Sequence, residues 1–451
     1  MTGRLVLAGE PGFEEAVLGR IFNGRRPSDR RPEAVLLAAD EADVQEGVRL
    51  AAARGWQVAV RSGGHSWAAW SIRDRSLLID LGAFTGMTYD EATQIVSAGP
   101  AVRGGDDLGP FLEARGRFFG GGHCPSVGIG GFLLQGGQGW NARGWGWAAE
   151  QVVAVDVVTA DGELVRADAA THADLYWAAR GAGPTFPGVV TRFHLATRAL
   201  PGHLSFTLHV YPVALFDRVL PWLYEIHEQV PPTVEIVAVS MTPENGERVL
   251  LVSALAFVDD AAEGEAALAA FRTSPLVHEA LVHVDAVPTT LAEQRAEQVR
   301  ANPEHARYLV DNGWIDGDPA EVAAALRPLF VDLPEPAAFT IWFSMGPLRP
   351  LPDMAFSLQS EAYVASYLVY DDEARDAALR RWLNGAWTAA QPVTVGQYLG
   401  DSDMTNRQLQ VLSPEHWRRL QRVIEERDPR GRFVRHLAGD PAAVNVNHWS
   451  S

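Results

Sequence analysis

The chain has one cysteine in 451 residues, Cys124, so no intrachain disulfide can form and nothing points to an oxidising compartment. Positive charge is also scarce. Lys and Arg number 38 against 56 Asp and Glu, a formal net charge of −18. A surface that acidic repels phosphate backbones and anionic lipid, which argues against nucleic-acid and membrane partners. The longest apolar run, around Val249 to Val258, is far short of the roughly 20 residues that span a bilayer. The first residues, MTGRLVLAGEPGFEEAV, lack an apolar signal core and a cleavage signature, so the expected location is cytoplasmic. Several chemical motifs are missing as well. There is no Walker A loop, no zinc-spaced His/Cys cluster, no H-E-x-x-H and no G-x-S-x-G elbow. A relaxed G-x-G-x-x-A at Gly137, Gly139 and Ala142 runs into Arg-Gly-Trp-Gly rather than a helix, so it lacks a dinucleotide-fold context.

What is present suits two domains. Hydrophobic residues make up 47% and charged residues 21%, enough for two cores and too apolar for disorder. Residues 33–60 alternate strand and helix signals. EAVLLAA reads as a strand, DEADVQEGVRLAAARG as a helix with acidic first turn and terminal Gly, and WQVAVRS as a strand. SLLIDLGAF and QIVSAGPAV read as further strands, and QVVAVDVVTADGELV as a hairpin about Asp161-Gly162. From Pro201 the texture becomes strands and amphipathic helices, expected to form an antiparallel sheet covered by helices. PEHWRRLQRVIEERDP reads as a late helix. Fourteen Trp serve equally well as core packing or as walls for a flat ligand.

Two segments stand out. Directly after a predicted strand comes RSGGHS, residues 61–66, with His65. Residues 120–146, GGGHCPSVGIGGFLLQGGQGWNARGWG, hold Cys124 and carry so many glycines that neither helix nor strand is expected. A lone His is usually structural, and a lone Cys usually a small buried hydrophobe. Glycine framing changes that balance. Neighbours without side chains cannot build a core, but bare backbone can lie against a ligand and donate N–H groups to phosphate oxygens.

In these segments the chain resembles the berberine bridge enzyme-like flavoproteins of the vanillyl-alcohol oxidase superfamily. RSGGHS is similar to the family's first flavin loop and FFGGGHCPSVGIGG to its second. TADGELVRA and DLYWAARGAG are similar to segments around the adenine and pyrophosphate. The resemblance covers about Arg31 to Leu200 and returns in the last fifty residues. It implies an α+β fold with a bipartite PCMH-type FAD domain, residues 1–200. A substrate domain follows at 201–400, and a C-terminal segment, 401–451, returns to the FAD domain. The implied cofactor is FAD bonded twice, through His65 to the 8α-methyl and through Cys124 to carbon 6. Arg61, Ser62, Gly63, Gly64 and Ser66 are implied to cradle the pyrophosphate. Val127, Gly128, Ile129, Gly130, Gly131, Gln138 and Gly139 would line the flavin, with Gly188 and Val190 near the adenosine half. Asn445 and Asn447 would lie in the returning tail.

The chain departs from the family pattern at Phe132, where relatives carry His, and in GPTFPG at 183–188. It departs again at the base. Relatives carry a catalytic Tyr in Y-x-N-Y-x-D, and the matching run here is Tyr398-Leu-Gly-Asp-Ser-Asp403. That alignment puts Asp401 in the place of the Tyr. Asp401 with Tyr398 is the expected catalytic pair, and Tyr363, Tyr367 and Tyr370 are the reserves. The implied reaction is oxidation of an alcohol or amine, on a bulky natural product or a saccharide, with dioxygen reduced to peroxide. A flavin dehydrogenase and a flavin-carrying binding protein are the alternatives. The chain is expected to be a monomer or homodimer.

Overall fold

The computed structural model describes residues 1–244, 246–403 and 406–435. Its N-terminal half is built on two small sheets. In the first, strands Ala34–Leu37, Ser76–Asp80 and Gln57–Arg61 run parallel, and Arg4–Leu7 closes the edge antiparallel. The helix Glu41–Arg54 crosses over between them. Its N-cap Asp40 accepts from the Asp43 N–H at 2.9 Å, and it ends at Gly55 with φ 68°. The second sheet is antiparallel, in the order Met87–Asp90, Ile95–Ala98, Val189–Ala196, Val152–Val158, Leu164–Asp168. The hairpin between the last two strands turns at Gly162, φ 77°.

Residues 203–396 form an eight-stranded antiparallel sheet, giving the mixed α+β class expected. The alternation of side chains decides what each face does. On Val234–Met241, Val234, Ile236 and Ala238 enter a core with helices Phe216–His227, Pro319–Val331 and Asp376–Ala389. The residues between them, Glu235, Val237, Val239 and Met241, face a cavity instead. Val249–Val258 divides the same way, with Leu250, Val252 and Ala254 toward the helices and Leu251, Ser253 and Leu255 toward the cavity.

The described part of the tail lies against the N-terminal half. Val58 N–H donates to Arg432 O at 2.7 Å and Val434 N–H to Val58 O at 3.0 Å. The helix Pro414–Arg427 packs on Ala173–Ala178, with Arg427 paired to Asp174 at 2.5 Å. Asn445 and Asn447 lie outside the described residues.

The glycine-dense segment departs from expectation by containing two short helices, Ile129–Leu134 and Ala142–Trp145. The first is held by Ile129 and Leu133, both wholly buried in the N-terminal core. Tertiary packing outweighs the glycine entropy cost there. Among the described residues, no helix is long and apolar enough to cross a membrane.

Candidate active site

A cavity of about 780 Å³ runs between the two glycine loops and the inner face of the large sheet. That volume lies within the range of natural ligand and cofactor sites. His65 and Cys124 both line it. Ser126 joins them, with its Oγ 3.1 Å from His65 Nε2 and 3.6 Å from Cys124 Sγ. The His65 ring stacks on Phe22 at 4.2 Å. Burial pushes the imidazole down to about 4, so at neutral pH it is uncharged. Burial pushes the Cys124 thiol up, which opposes thiolate formation; the hydrogen bond from Ser126 works the other way.

The loops meet through bare backbone. A Cβ on Gly63 would lie 2.7 Å from Gly128 N, and one on Gly128 would lie 2.8 Å from Gly63 Cα. No side chain fits at either position. Gly64, with φ 81°, turns the first loop under Arg20. This close pairing of two strands of bare backbone, with Gly131 N–H and Ser62 Oγ at the rim, fits a long flat ligand with a phosphate segment.

Most of the residues expected at the cofactor come together here. Arg61, Ser62, Gly63, Gly64, Ser66, Val127, Gly128, Gly130, Gly131, Gln138, Gly188 and Val190 all line the cavity. Ile129 and Gly139 do not, and that corrects the expectation for both. Ile129 points into the core, while Gly139 is pressed against Gly120 O, where a Cβ would sit at 1.9 Å. Arg61 also needs qualification. Its guanidinium is buried against Asp80 at 2.5 Å and donates to the Val17 and Ala16 carbonyls, so only its backbone faces the ligand.

Asp401 lies on the cavity wall in the middle of an aromatic cluster. Its Oδ2 accepts from Tyr363 OH at 2.9 Å and its Oδ1 from Trp67 Nε1 at 3.4 Å, and Tyr367 also bonds to it. Burial pushes its carboxyl above the usual carboxylate range. Burial and Asp401 together push Tyr363 and Tyr367 well above the ordinary phenol range, so both are hydrogen-bond donors at neutral pH. Tyr398 is held differently. Its hydroxyl oxygen accepts from Gly137 N–H at 3.1 Å and Gln138 N–H at 3.2 Å, which fixes the glycine loop. Tyr370 is excluded by strand alternation. It faces the helix-side core and donates to Asp376 at 2.8 Å.

Two residues were missed in the sequence. His123 and Glu235 line the same cavity, with His123 Nε2 2.9 Å and 3.1 Å from the two Glu235 oxygens. Arg143, only 3% exposed, donates to the carbonyls of Val230, Pro231 and Val234 and ties the glycine segment to the large sheet. The motif GGGHC advertised the histidine, but its partner is 112 residues away in sequence.

Residues 32–168 match the FAD binding domain family. An FAD-linked oxidoreductase of Penicillium ochrochloron is 35% identical over 426 residues, which is 94% of each chain. The chain belongs to the FAD-linked oxidoreductases. The fold agrees. It matches 6-hydroxy-D-nicotine oxidase from Arthrobacter nicotinovorans with TM-score 0.82 at 23% identity, covering 96% of each chain. It matches berberine bridge enzyme with TM-score 0.81 at 16% identity, covering 96% of this chain and 95% of the other. This enzyme is therefore an FAD-linked oxidoreductase.

Proposed function

We propose that this enzyme is an oxidase whose FAD is bonded to both His65 and Cys124, and that it oxidises an alcohol or amine carbon on a bulky, largely apolar compound. The observation that carries this reading is the convergence of His65 and Cys124, 59 positions apart in sequence, on one cavity through Ser126. When bound, the flavin supplies the two-electron chemistry and dioxygen takes the electrons on to peroxide. The chain holds the cofactor and handles the proton. Gly63 and Gly128 let backbone approach the cofactor, and uncharged His65 is competent to attack carbon.

Asp401 is the proton acceptor in this reading. Its raised pKa brings a carboxylate nearer to a useful basicity at neutral pH, and donation from Tyr363, Tyr367 and Trp67 fixes its orientation. The substrate class follows from the wall opposite the loops. Val237, Val239, Leu251, Leu255, Ile341 and Val369 present aliphatic surface, favouring a polycyclic hydrocarbon-rich substrate over a saccharide. Polar groups gather on helix Leu291–Ala301 and its end, at Gln294, Gln298 and Asn302. A screen of lipophilic alcohols and amines and of oligosaccharides, read by peroxide release, tests the proposal. Peroxide from the apolar set is expected. Turnover confined to oligosaccharides would overturn the substrate class, and substrate-driven flavin reduction without oxygen uptake would make the enzyme a dehydrogenase.

A further inference from the structure

Glu235 is an anomaly on its strand face. Its neighbours toward the cavity are Val237, Val239 and Met241, yet it places a carboxylate there at 6% exposure. A buried carboxylate costs several kcal/mol unless it is paired and hydrogen-bonded. Both conditions are met. Asn141 N–H donates to Oε2 at 2.6 Å, and His123 Nε2 is at hydrogen-bond distance from both oxygens. Trp140, at 4.4 Å, and Phe343, at 5.2 Å, flank the imidazole. With the proton on Nε2 bound to Glu235, the Nδ1 lone pair is left open, and no hydrogen bond to Nδ1 exists among the described residues. A carboxylate that fixes one imidazole nitrogen so that the other can exchange protons is a recurrent arrangement for acid–base work.

The chain position of His123 supplies its place in the reaction. It precedes Cys124 directly. On the reading that Cys124 bonds carbon 6, its neighbour His123 would lie beside the redox-active edge of the ring. A bound flavin would take up hydride along that edge, so the substrate's hydroxyl or amine would come within reach of His123. We propose that His123, oriented by Glu235, is a second proton-transfer residue of this site, complementing Asp401. The proton that Asp401 takes from the substrate X–H bond would pass on to Nδ1 of His123, whose charge acts on Asp401. The X–H electron pair would form the C=X bond, and a bound oxidised flavin would supply the acceptor for the C–H pair as hydride. The imidazolium so formed neutralises the Glu235 carboxylate in its apolar surroundings. Among the described residues, the charged groups shown to interact with His123 are Glu235, at hydrogen-bond distance, and Asp401.

Sulfite tests this without a known substrate, because it adds reversibly to N5 of oxidised flavin and leaves an anion there. In the wild-type holoenzyme the adduct should weaken as pH rises through an imidazole ionisation. Sulfite's own titration is common to all variants. His123→Asn should lose that step and bind sulfite about tenfold or more weakly at low pH, the scale of one nearby charge in a partly buried site. Glu235→Gln keeps the shape of the pair but not its charge, so it should move the step to lower pH. Asp401→Asn should retain the step. A His123→Asn profile identical to wild type would overturn the assignment. If that variant fails to hold flavin, an unmoved step in Glu235→Gln overturns it instead, and leaves the pair as an interdomain strut. A wild-type protein that loses its flavin on acid precipitation would remove the tether reading as well, so the two failures are separable.

Discussion

Asp401→Asn separates the two jobs a buried carboxylate can do. The side chain accepts from Tyr363 OH at 2.9 Å and Trp67 Nε1 at 3.4 Å, and an Asn carbonyl oxygen can keep one of these. Losing a proton acceptor in a hydride-transfer reaction should slow flavin reduction by roughly 10²-fold or more, the lower end of general-base contributions. That corresponds to about 2.7 kcal/mol of barrier at about 1.36 kcal/mol per tenfold. Stability should move in the opposite direction. Folding raises the Asp401 pKa, so its stabilising contribution is fully present only below the unfolded value and is lost as pH rises through the folded one. At neutral pH the buried carboxyl is therefore a net cost of folding, which the neutral Asn removes. Its amide forfeits charge-assisted hydrogen bonds worth about 1.5–3 kcal/mol each, which offsets part of the gain. The expected outcome is a melting temperature at pH 7.5 that stays level or rises, together with much slower reduction. Anaerobic stopped-flow absorbance with a substrate from the peroxide screen, beside thermal melts of the same preparation, measures both. An unchanged reduction rate in a folded, flavin-loaded variant would refute the assignment and turn attention to Tyr363 and Tyr367.

Other expectations follow from the same geometry. His65→Ala and Cys124→Ala should each keep flavin through the remaining bond after denaturation, and the double variant should release it, as read by fluorescence in denaturing gels. In the apoprotein, His65 is depressed from 6.5 to about 4, so stability is present above the unfolded value and is lost as pH falls from about 6.5 to 4. Denaturant titrations should show up to about 3 kcal/mol of that loss disappearing in His65→Asn. Arg143→Ala strands buried carbonyls at Val230, Pro231 and Val234 and should cost about 3 kcal/mol or more by urea unfolding. Val237→Asn places an amide on the aliphatic wall and should raise KM for apolar substrates about tenfold with little change in kcat.

Much of the site was legible because it is local in sequence. RSGGHS and GGGHCPSVGIGG each carry their own reason for glycine, and the structure brings both to one cavity. Strand periodicity separates the two faces of Val234–Met241, yet it could not say which face would meet the glycine loops. That ambiguity is why Tyr370 stood beside Tyr363 and Tyr367 as a reserve, although a shift of one residue along Ala362–Tyr370 reverses the face. Ile129 and Gly139 were assigned by their place in a glycine run, and packing decided otherwise at both. Long-range pairs were invisible. Nothing near His123 predicts Glu235, and nothing near Arg143 predicts the carbonyls of residues 230–234, because these partners meet only when the eight-stranded sheet docks on the loops.

The double tether is the claim on which the rest depends, and one measurement addresses it directly. Purified holoenzyme is precipitated with acid, washed, and its intact mass and peptide masses are determined. The account predicts a yellow pellet, an intact mass one FAD above the apoprotein, and a single cross-linked species joining the peptides of His65 and Cys124 through the flavin. A colourless pellet from fully loaded protein, or flavin carried by only one of the two peptides, would contradict it.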